Sequence, residues 1–120
     1  MTEAKSADER DVFDIGVVDL ELRREDAYVR TGHTARTLVR EADLRVILVA
    51  MKAGSRIAEH RADETATIHV LSGRLRLRLP SRLVDLSTCQ LLVLERAVPH
   101  DVDGVEETRF LLTLGWKNRP

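Results

Sequence analysis

Apolar residues recur along the chain in short runs that are typical of β-strands. Turn residues such as glycine, proline, serine and aspartate separate these runs at intervals of about eight to twelve residues. About seven or eight short strands with this spacing predict a sandwich or a barrel. One strand ends at His60, and the others are the runs Thr34–Val39, Leu44–Met51, Thr65–Leu71, Arg74–Leu79, Gln90–Leu94, Pro99–Val102 and Thr108–Leu114.

Two of these runs predict which faces are buried. Leucine and arginine alternate strictly through Arg74–Leu79, so we expect the leucines to face inward and the arginines outward. For Arg74, Arg76 and Arg78, a solvated exterior is favoured over a grip on an anionic ligand. The run Leu44–Met51 is almost continuously apolar, which is typical of a strand covered on both faces.

The pattern divides the chain into four segments. Residues 1–11 lack periodicity and are predicted to be a mobile tail, and residues 12–37 are predicted to hold N-terminal edge strands and a loop. Within them, Val12–Leu22 is interpreted as an early edge strand and Glu21–Asp26 as a solvated loop or single helical turn. Residues 38–116 form the predicted barrel, and residues 117–120 a C-terminal tail. No helix longer than a turn or two is predicted.

Composition excludes several classes of function. The 120 residues carry a net charge of −1 and 3% aromatic residues, which argues against nucleic-acid binding by charge or by stacking. No apolar run approaches the ~20 residues of a membrane helix, and we see no signal peptide. The single cysteine, Cys89, forms no internal disulfide. These features together predict a cytoplasmic protein that binds neither nucleic acid nor membrane.

Two histidines lie in segments with a recognisable spacing. His60 follows Gly54 after five residues, and the segment closes with Val70-Leu71-Ser72-Gly73. His100 ends a second segment that begins at Cys89. The two segments resemble, in order and separation, the two motifs of the cupins, whose fold is a small jelly-roll barrel (double-stranded β-helix). The resemblance covers residues 38–116 and implies an all-β cupin-type barrel.

The chain departs from the cupin motifs at several positions. In the first motif, alanines stand where the second histidine and the glutamate are expected, at Ala62 and Ala66. In the second motif, Cys89 replaces the leading glycine, and Glu95-Arg96-Ala97 replaces proline-x-glycine. Gly104 stands at the final asparagine position. The resemblance therefore implies the fold more strongly than the chemistry.

The resemblance places a pocket inside the barrel. Period-two alternation puts one set of residues on a common face, which in cupins is the interior, and His100 points to the same side. The predicted pocket residues are His60, Ala62, Ala66, Ile68 and His100. His69 is expected to face away, unless a β-bulge between Thr65 and His69 reverses it.

Cupins typically hold iron, manganese, nickel or zinc with three histidines and one carboxylate. This chain offers His60 and His100 as candidate ligands, with Glu64 in the turn as the candidate third ligand; Glu59 is a further carboxylate nearby. We therefore assign no cofactor, with a divalent metal as the open alternative. The other interpretation is a neutral histidine pair that bonds to backbone, to water or to each other.

Two functions from different classes fit these features. The first is a small cupin that binds a small molecule in its barrel without the usual metal centre. The second is a metal-dependent cupin enzyme of the dioxygenase, isomerase or decarboxylase type, acting through His60 and His100; whether the protein is an enzyme at all stays open. An interaction module is a third class, supported only by the small size. We also expect a homodimer, formed through Val46–Met51 or through Val12–Leu22.

Overall fold

The protein folds into two antiparallel β-sheets that face each other, preceded by two short helices. The structure is a computed structural model and describes residues 12–115. Its elements in chain order are α1 Ile15–Arg23, α2 Asp26–Thr31, β1 His33–Arg40, β2 Arg45–Met51, β3 Arg56–His60, β4 Ala66–Ser72, β5 Arg74–Leu79, β6 Arg82–Ser87, β7 Leu91–Leu94, β8 His100–Gly104 and β9 Thr108–Leu114.

The strands form one sheet of five and one of four. The larger sheet has the order β1-β2-β9-β4-β7 and the smaller sheet the order β3-β8-β5-β6. Strands that follow each other along the chain often lie in different sheets, as in a jelly roll. The predicted fold class, an all-β barrel, is confirmed. β3 lies at an edge of the smaller sheet, and its neighbour there is β8.

The main core fills the space between the two sheets. Leu75 and Leu77 on β5 are fully buried, while the alternating Arg74 and Arg76 are exposed, as the pattern predicts. Buried side chains from both sheets complete this core: Val49, Met51, Ala66, Ile68, Val70, Leu86, Leu92, Leu94, Val102, Phe110 and Leu114.

Most of Val12–Leu22, the predicted edge strand, instead belongs to the helix α1, Ile15–Arg23. Asp14 caps α1, because its Oδ1 accepts a hydrogen bond of 3.2 Å from the Val17 backbone N–H. Leu22 on α1 is fully buried with Tyr28 of α2, against Leu48 and Ala50 on the outer face of β2. The helices therefore build a second small core outside the barrel, and β2 is covered on both faces as expected.

Charged groups anchor the helices to the larger sheet. The buried Asp19 of α1 accepts hydrogen bonds from Arg23 Nε at 2.9 Å and from Arg109 Nη1 of β9 at 3.0 Å. Arg23 also pairs with Glu107, and Glu107 accepts a hydrogen bond from the Tyr28 hydroxyl at 3.2 Å. A carboxylate inside an apolar layer needs such partners, so this network fixes where the helices sit.

Other predicted boundaries differ from the structure in smaller ways. Arg82–Ser87 forms β6, a strand that the apolar pattern does not indicate, and β8 continues through Gly104, where a turn is expected. The predicted barrel boundary at residue 38 falls inside β1. The predicted tails, residues 1–11 and 117–120, lie outside the described residues. Within residues 12–115, neither helix is long and apolar enough to cross a membrane.

Candidate functional site

His60 and His100 are direct cross-strand partners. His60 is the last residue of β3 and pairs with His100, the first residue of β8. Their rings meet edge to face, with centroids 4.3 Å apart and planes inclined by 61°. Directly opposite residues on antiparallel strands bring their side chains closest, so strand register alone creates this histidine pair.

A β-bulge in β3 sets that register. The pairing shifts between Ile57, which lies opposite Val102, and His60. Ile57 packs against the main core. His60 lies three positions later, so regular alternation would place it on the opposite face of β3. The extra residue of the bulge returns His60 to the same face as Ile57. The pair lies at the mouth of the barrel, because His100 is only 5% exposed whereas His60 is exposed.

Backbone carbonyls fix the proton on each imidazole. The Nδ1 atom of His60 lies 3.0 Å from the carbonyl oxygen of Ala58, and Nδ1 of His100 lies 3.0 Å from that of Val98. A carbonyl oxygen only accepts, so each Nδ1 carries the proton and donates. In the neutral ring, Nε2 then keeps its lone pair. The site thus presents two hydrogen-bond acceptors.

Burial keeps His100 in this neutral form. Desolvation lowers the pKa of His100 below its ordinary value of 6.5, and the nearby His60 lowers it further. The hydrogen bond to Val98, which is the second-largest influence, and the charge of Asp101 raise the pKa but do not outweigh burial. His100 therefore remains uncharged at neutral pH.

A cavity of about 160 Å³ opens beside the two histidines. The polar residues that line it are His60, His100, Glu64 and Glu95, and the apolar ones are Ala62, Ala66, Leu94, Val98, Leu112 and Leu114. A deeper cavity of about 80 Å³ shares His60, His100 and Leu112, and reaches core residues such as Ile68 and Phe110. The histidine pair thus lies where the two cavities meet.

The other residues of the predicted pocket also lie at these cavities. Ala62 is in the loop between β3 and β4, where its carbonyl accepts a hydrogen bond of 2.7 Å from the Ala97 N–H. Ala66 begins β4 and is 3% exposed. Both line the larger cavity, whereas Ile68, two residues further along β4, lines the deeper one. The structure therefore brings all five residues together.

The backbone retains the glycine conformations of both motifs. Gly54 and Gly73 of the first motif have φ of +83° and +98°. Cys89 and Ala97, which replace glycines in the second motif, have φ of +70° and +66°, the only such non-glycine values among residues 12–115. Glycine adopts positive φ values readily, whereas residues with a Cβ atom adopt them at a cost in energy. Cys89 and Ala97 therefore adopt backbone conformations that are more usual for glycine.

Comparison with solved structures agrees with this geometry. A conserved protein of unknown function from Streptococcus pyogenes is similar with a TM-score of 0.74 and 22% identity, over 99% of this chain and 98% of that one. A cupin superfamily protein from Desulfitobacterium hafniense has a TM-score of 0.67 and 14% identity, covering 70% and 77%. The chain has the cupin fold. At these identities the likeness is one of fold.

Further comparisons mark the limits of that likeness. A variant of oxalate decarboxylase from Bacillus subtilis is similar with a TM-score of 0.68 and 18% identity; the match covers 76% of this chain but only 27% of that enzyme. The sequence matches no protein-family model and no curated protein. Function must therefore be argued from the site.

The side chains at the cavity do not fit the usual cupin metal centre. Ala62 and Ala66 contribute only methyl groups to the lining. Glu64 is buried, and its Oε1 accepts a 2.6 Å hydrogen bond from Arg45 Nη2 on β2. Within residues 12–115, no three histidine, cysteine or acidic side chains are arranged to hold a metal ion. In this arrangement the Glu64 carboxylate is paired with Arg45, and the assignment of Glu64 as third ligand stays a prediction.

Other candidate residues lie away from the cavity. His69 is on the face of β4 opposite to the buried Ile68 and Val70, and the bulge in β4 falls after Val70 rather than before it. The arginines of β5 pair with acidic neighbours, such as Arg76 with Asp85 at 2.8 Å. Cys89 is exposed in a turn. Among the described residues, the candidate chemistry therefore concentrates at the histidine pair.

Sequence reasoning missed part of the lining. Leu94, Leu112 and Leu114 face the cavity, and their alternation with neighbours on β7 and β9 was an available signal. Glu95 and Val98 come from the loop between β7 and β8, where no periodicity applies. The pairing of Glu64 with Arg45 spans 19 positions, and nothing local in the sequence indicates it.

Proposed function

We propose that this cupin barrel binds a small, mainly apolar molecule in the 160 Å³ cavity beside His60 and His100, without the three-histidine, one-carboxylate metal centre. The observation that carries the proposal is the lining: a largely apolar wall interrupted by a fixed histidine pair. Ligand sites generally combine apolar walls with a few oriented polar groups. An apolar cavity of about 150 Å³ is large enough for benzene, which sets the scale of the ligand.

The donor set supports this function over a metal-dependent cupin enzyme. Two imidazoles alone form a weak site compared with three or four protein ligands. Elemental analysis of protein purified without chelator tests the point. We expect less than one tenth of a metal ion per chain in the natural sequence, and about one per chain in the Ala62→His, Ala66→Glu double variant, in which the motif ligands are restored. One metal ion per natural chain, lost in His100→Ala, would overturn the proposal.

Ligand binding is tested with benzyl alcohol, a neutral probe of suitable size. Titration followed by NMR should shift the side-chain signals of His60 and His100. Ala66→Leu places three further carbon atoms in the cavity and should weaken binding at least tenfold. Ala58→Leu adds the same atoms at an exposed position of β3 and serves as the matched control. Equal affinity in both variants would place the probe elsewhere and contradict the proposal.

We further propose that the protein is a homodimer and that α1 supplies the interface. β2 cannot supply it, because it pairs with β1 on one side and with β9 on the other. The outer face of α1 instead leaves Val17 at 52% and Leu20 at 58% exposed, next to Phe13 at 38%. Residues at this spacing share one helix face, and exposed apolar patches are typical of protein interfaces.

A further inference from the structure

We propose that the cavity selects a ligand that carries a hydrogen-bond donor, and in particular a small primary ammonium ion with a hydrocarbon body, over a carboxylate of the same size. The inference rests on the proposed function, since it names the class of molecule bound in the same cavity. It is carried by one property of the lining: each of the polar side chains that reach the cavity accepts hydrogen bonds or bears negative charge.

The histidines supply the first two acceptors. Their Nδ1 protons are committed to the carbonyls of Ala58 and Val98, so a neutral ring has only its Nε2 lone pair left for a ligand. A hydroxyl, amine or ammonium group can donate to such a nitrogen. A carboxylate or phosphate oxygen cannot, because two acceptors facing each other form no hydrogen bond.

The negative charge at the cavity comes from Glu95, whereas the carboxylate of Glu64 is paired with Arg45. Glu64 lines the inner wall, and Glu95 lines the rim from the loop between β7 and β8. No lysine or arginine side chain among residues 12–115 lines the same cavity. Arg45 lines a neighbouring cavity that also includes Glu64, and it bonds to Glu64 Oε1. An anionic ligand would therefore lose its water without gaining a cation, which is costly.

The apolar walls of the cavity determine the size and polarity of the rest of the ligand. Six of the ten lining residues are apolar, and the cavity volume is about 160 Å³. That space admits a body about the size of a benzene ring. A strongly polar cation such as a diamine would leave its second charge against Leu94, Leu112 or Leu114, so a single ammonium on a compact hydrocarbon fits best.

The experiment compares three probes that share one ring: benzylamine, benzyl alcohol and benzoate. Dissociation constants are measured by NMR titration at pH 7.5, where benzylamine is a cation and benzoate an anion. We expect benzylamine to bind at least tenfold more tightly than benzoate, with benzyl alcohol between them. Glu95→Gln should weaken benzylamine binding about three- to tenfold and leave benzyl alcohol unchanged. Glu59→Gln removes an exposed charge next to His60 that does not line the cavity, and it should change the affinity for neither probe.

A substitution of opposite sign completes the test. Ala62→Lys places an ammonium group at the cavity wall, and it should reverse the preference so that benzoate binds more tightly than benzylamine. If benzoate binds the natural protein as tightly as benzylamine, the inference about ligand class is wrong while cavity binding stands. If none of the three probes binds, the proposed function fails as well.

Discussion

At the scale of single residues, the site depends on how two backbone carbonyls orient two imidazoles. The sequence predicts that His60 and His100 share a pocket because the resemblance to the cupin motifs implies it, and both residues line one cavity. The sequence is not sufficient to predict their tautomers, since these depend on the carbonyls of Ala58 and Val98. The exposure of His60 could not be predicted from the sequence either, because it depends on the bulge in β3 that positions His60 at the mouth of the barrel.

The buried imidazole of His100 should make stability fall in acid. Burial lowers the pKa of His100 in the folded state, so the unfolded chain binds the proton more readily. The free energy of unfolding therefore loses this contribution as the pH falls below about 6.5, the unfolded value. We expect urea midpoints at pH 7.5, 6.5 and 5.5 to decline less steeply in His100→Gln than in the natural protein.

The groups that face His100 define the control for that measurement. His60 faces it from β3, Glu64 and Glu95 lie across the cavity, and Asp101 is its neighbour on β8. These groups are unchanged in His69→Gln, which removes a histidine from the outer face of β4 instead. His69→Gln should keep the full acid dependence. If His100→Gln keeps it too, the lowered pKa of His100 is not its cause.

Replacement of Ala97 by glycine, the residue that the cupin motif has at this position, should stabilise the protein. The φ of Ala97 is +66°, a conformation that costs an L-residue roughly 1–2 kcal/mol. Glycine avoids this strain, but its larger loss of backbone entropy on folding offsets about 0.5–1 kcal/mol of the gain. Ala97→Gly should therefore raise the free energy of unfolding by about 0.5–1 kcal/mol in urea titrations. Ala58→Gly, in the strand β3, should lower it by a similar amount. A loss in both variants would contradict the argument from φ.

At the scale of elements, the sequence predicts a strand correctly where one face of the strand is buried and the other is exposed to solvent. Arg74–Leu79 is the clearest case, and its predicted bounds equal those of β5. The helix α1 was hidden because apolar residues lie on both of its faces: Leu22 is buried, while Val17 and Leu20 are exposed. An amphipathic period cannot be recognised in such a segment. The strand β6 was not predicted for a related reason: its Leu83 is 60% exposed, so the apolar residues of β6 do not mark one buried face.

The position of α1 should depend on Asp19. This carboxylate is 3% exposed and accepts from Arg23 and Arg109. Asp19→Asn keeps its size but removes the charge, so we expect the free energy of unfolding to fall by about 1.5–3 kcal/mol, the value of a charge-assisted hydrogen bond. Asp43→Asn, in the exposed turn before β2, should change it by less than about 0.5 kcal/mol. Equal effects in urea denaturation would show that the network does not anchor the helix.

At the scale of the whole molecule, the two apolar layers have different consequences. The layer between the sheets is closed by strands from both sides and belongs to the barrel. The layer under the helices is closed by Leu22 and Tyr28, yet α1 leaves Val17 and Leu20 exposed on its outer side, next to Phe13. Exposed apolar residues grouped on one surface are typical of a protein interface. A second copy of the chain, packed helix to helix, would cover this face by two-fold symmetry.

Mass in solution tests this assembly. Size-exclusion chromatography with light scattering should give twice the chain mass for the natural protein. Leu20→Glu places a charge on the exposed face of α1 and should give a monomer that remains folded, because the side chain is already 58% exposed. Leu83→Glu makes the same change on β6, where exposure is 60%, and should stay dimeric. Because the two leucines are almost equally exposed, a difference in mass between the two variants reports the interface. A natural protein that elutes as a monomer would refute the dimer, and a dimer that survives Leu20→Glu would move its interface away from α1.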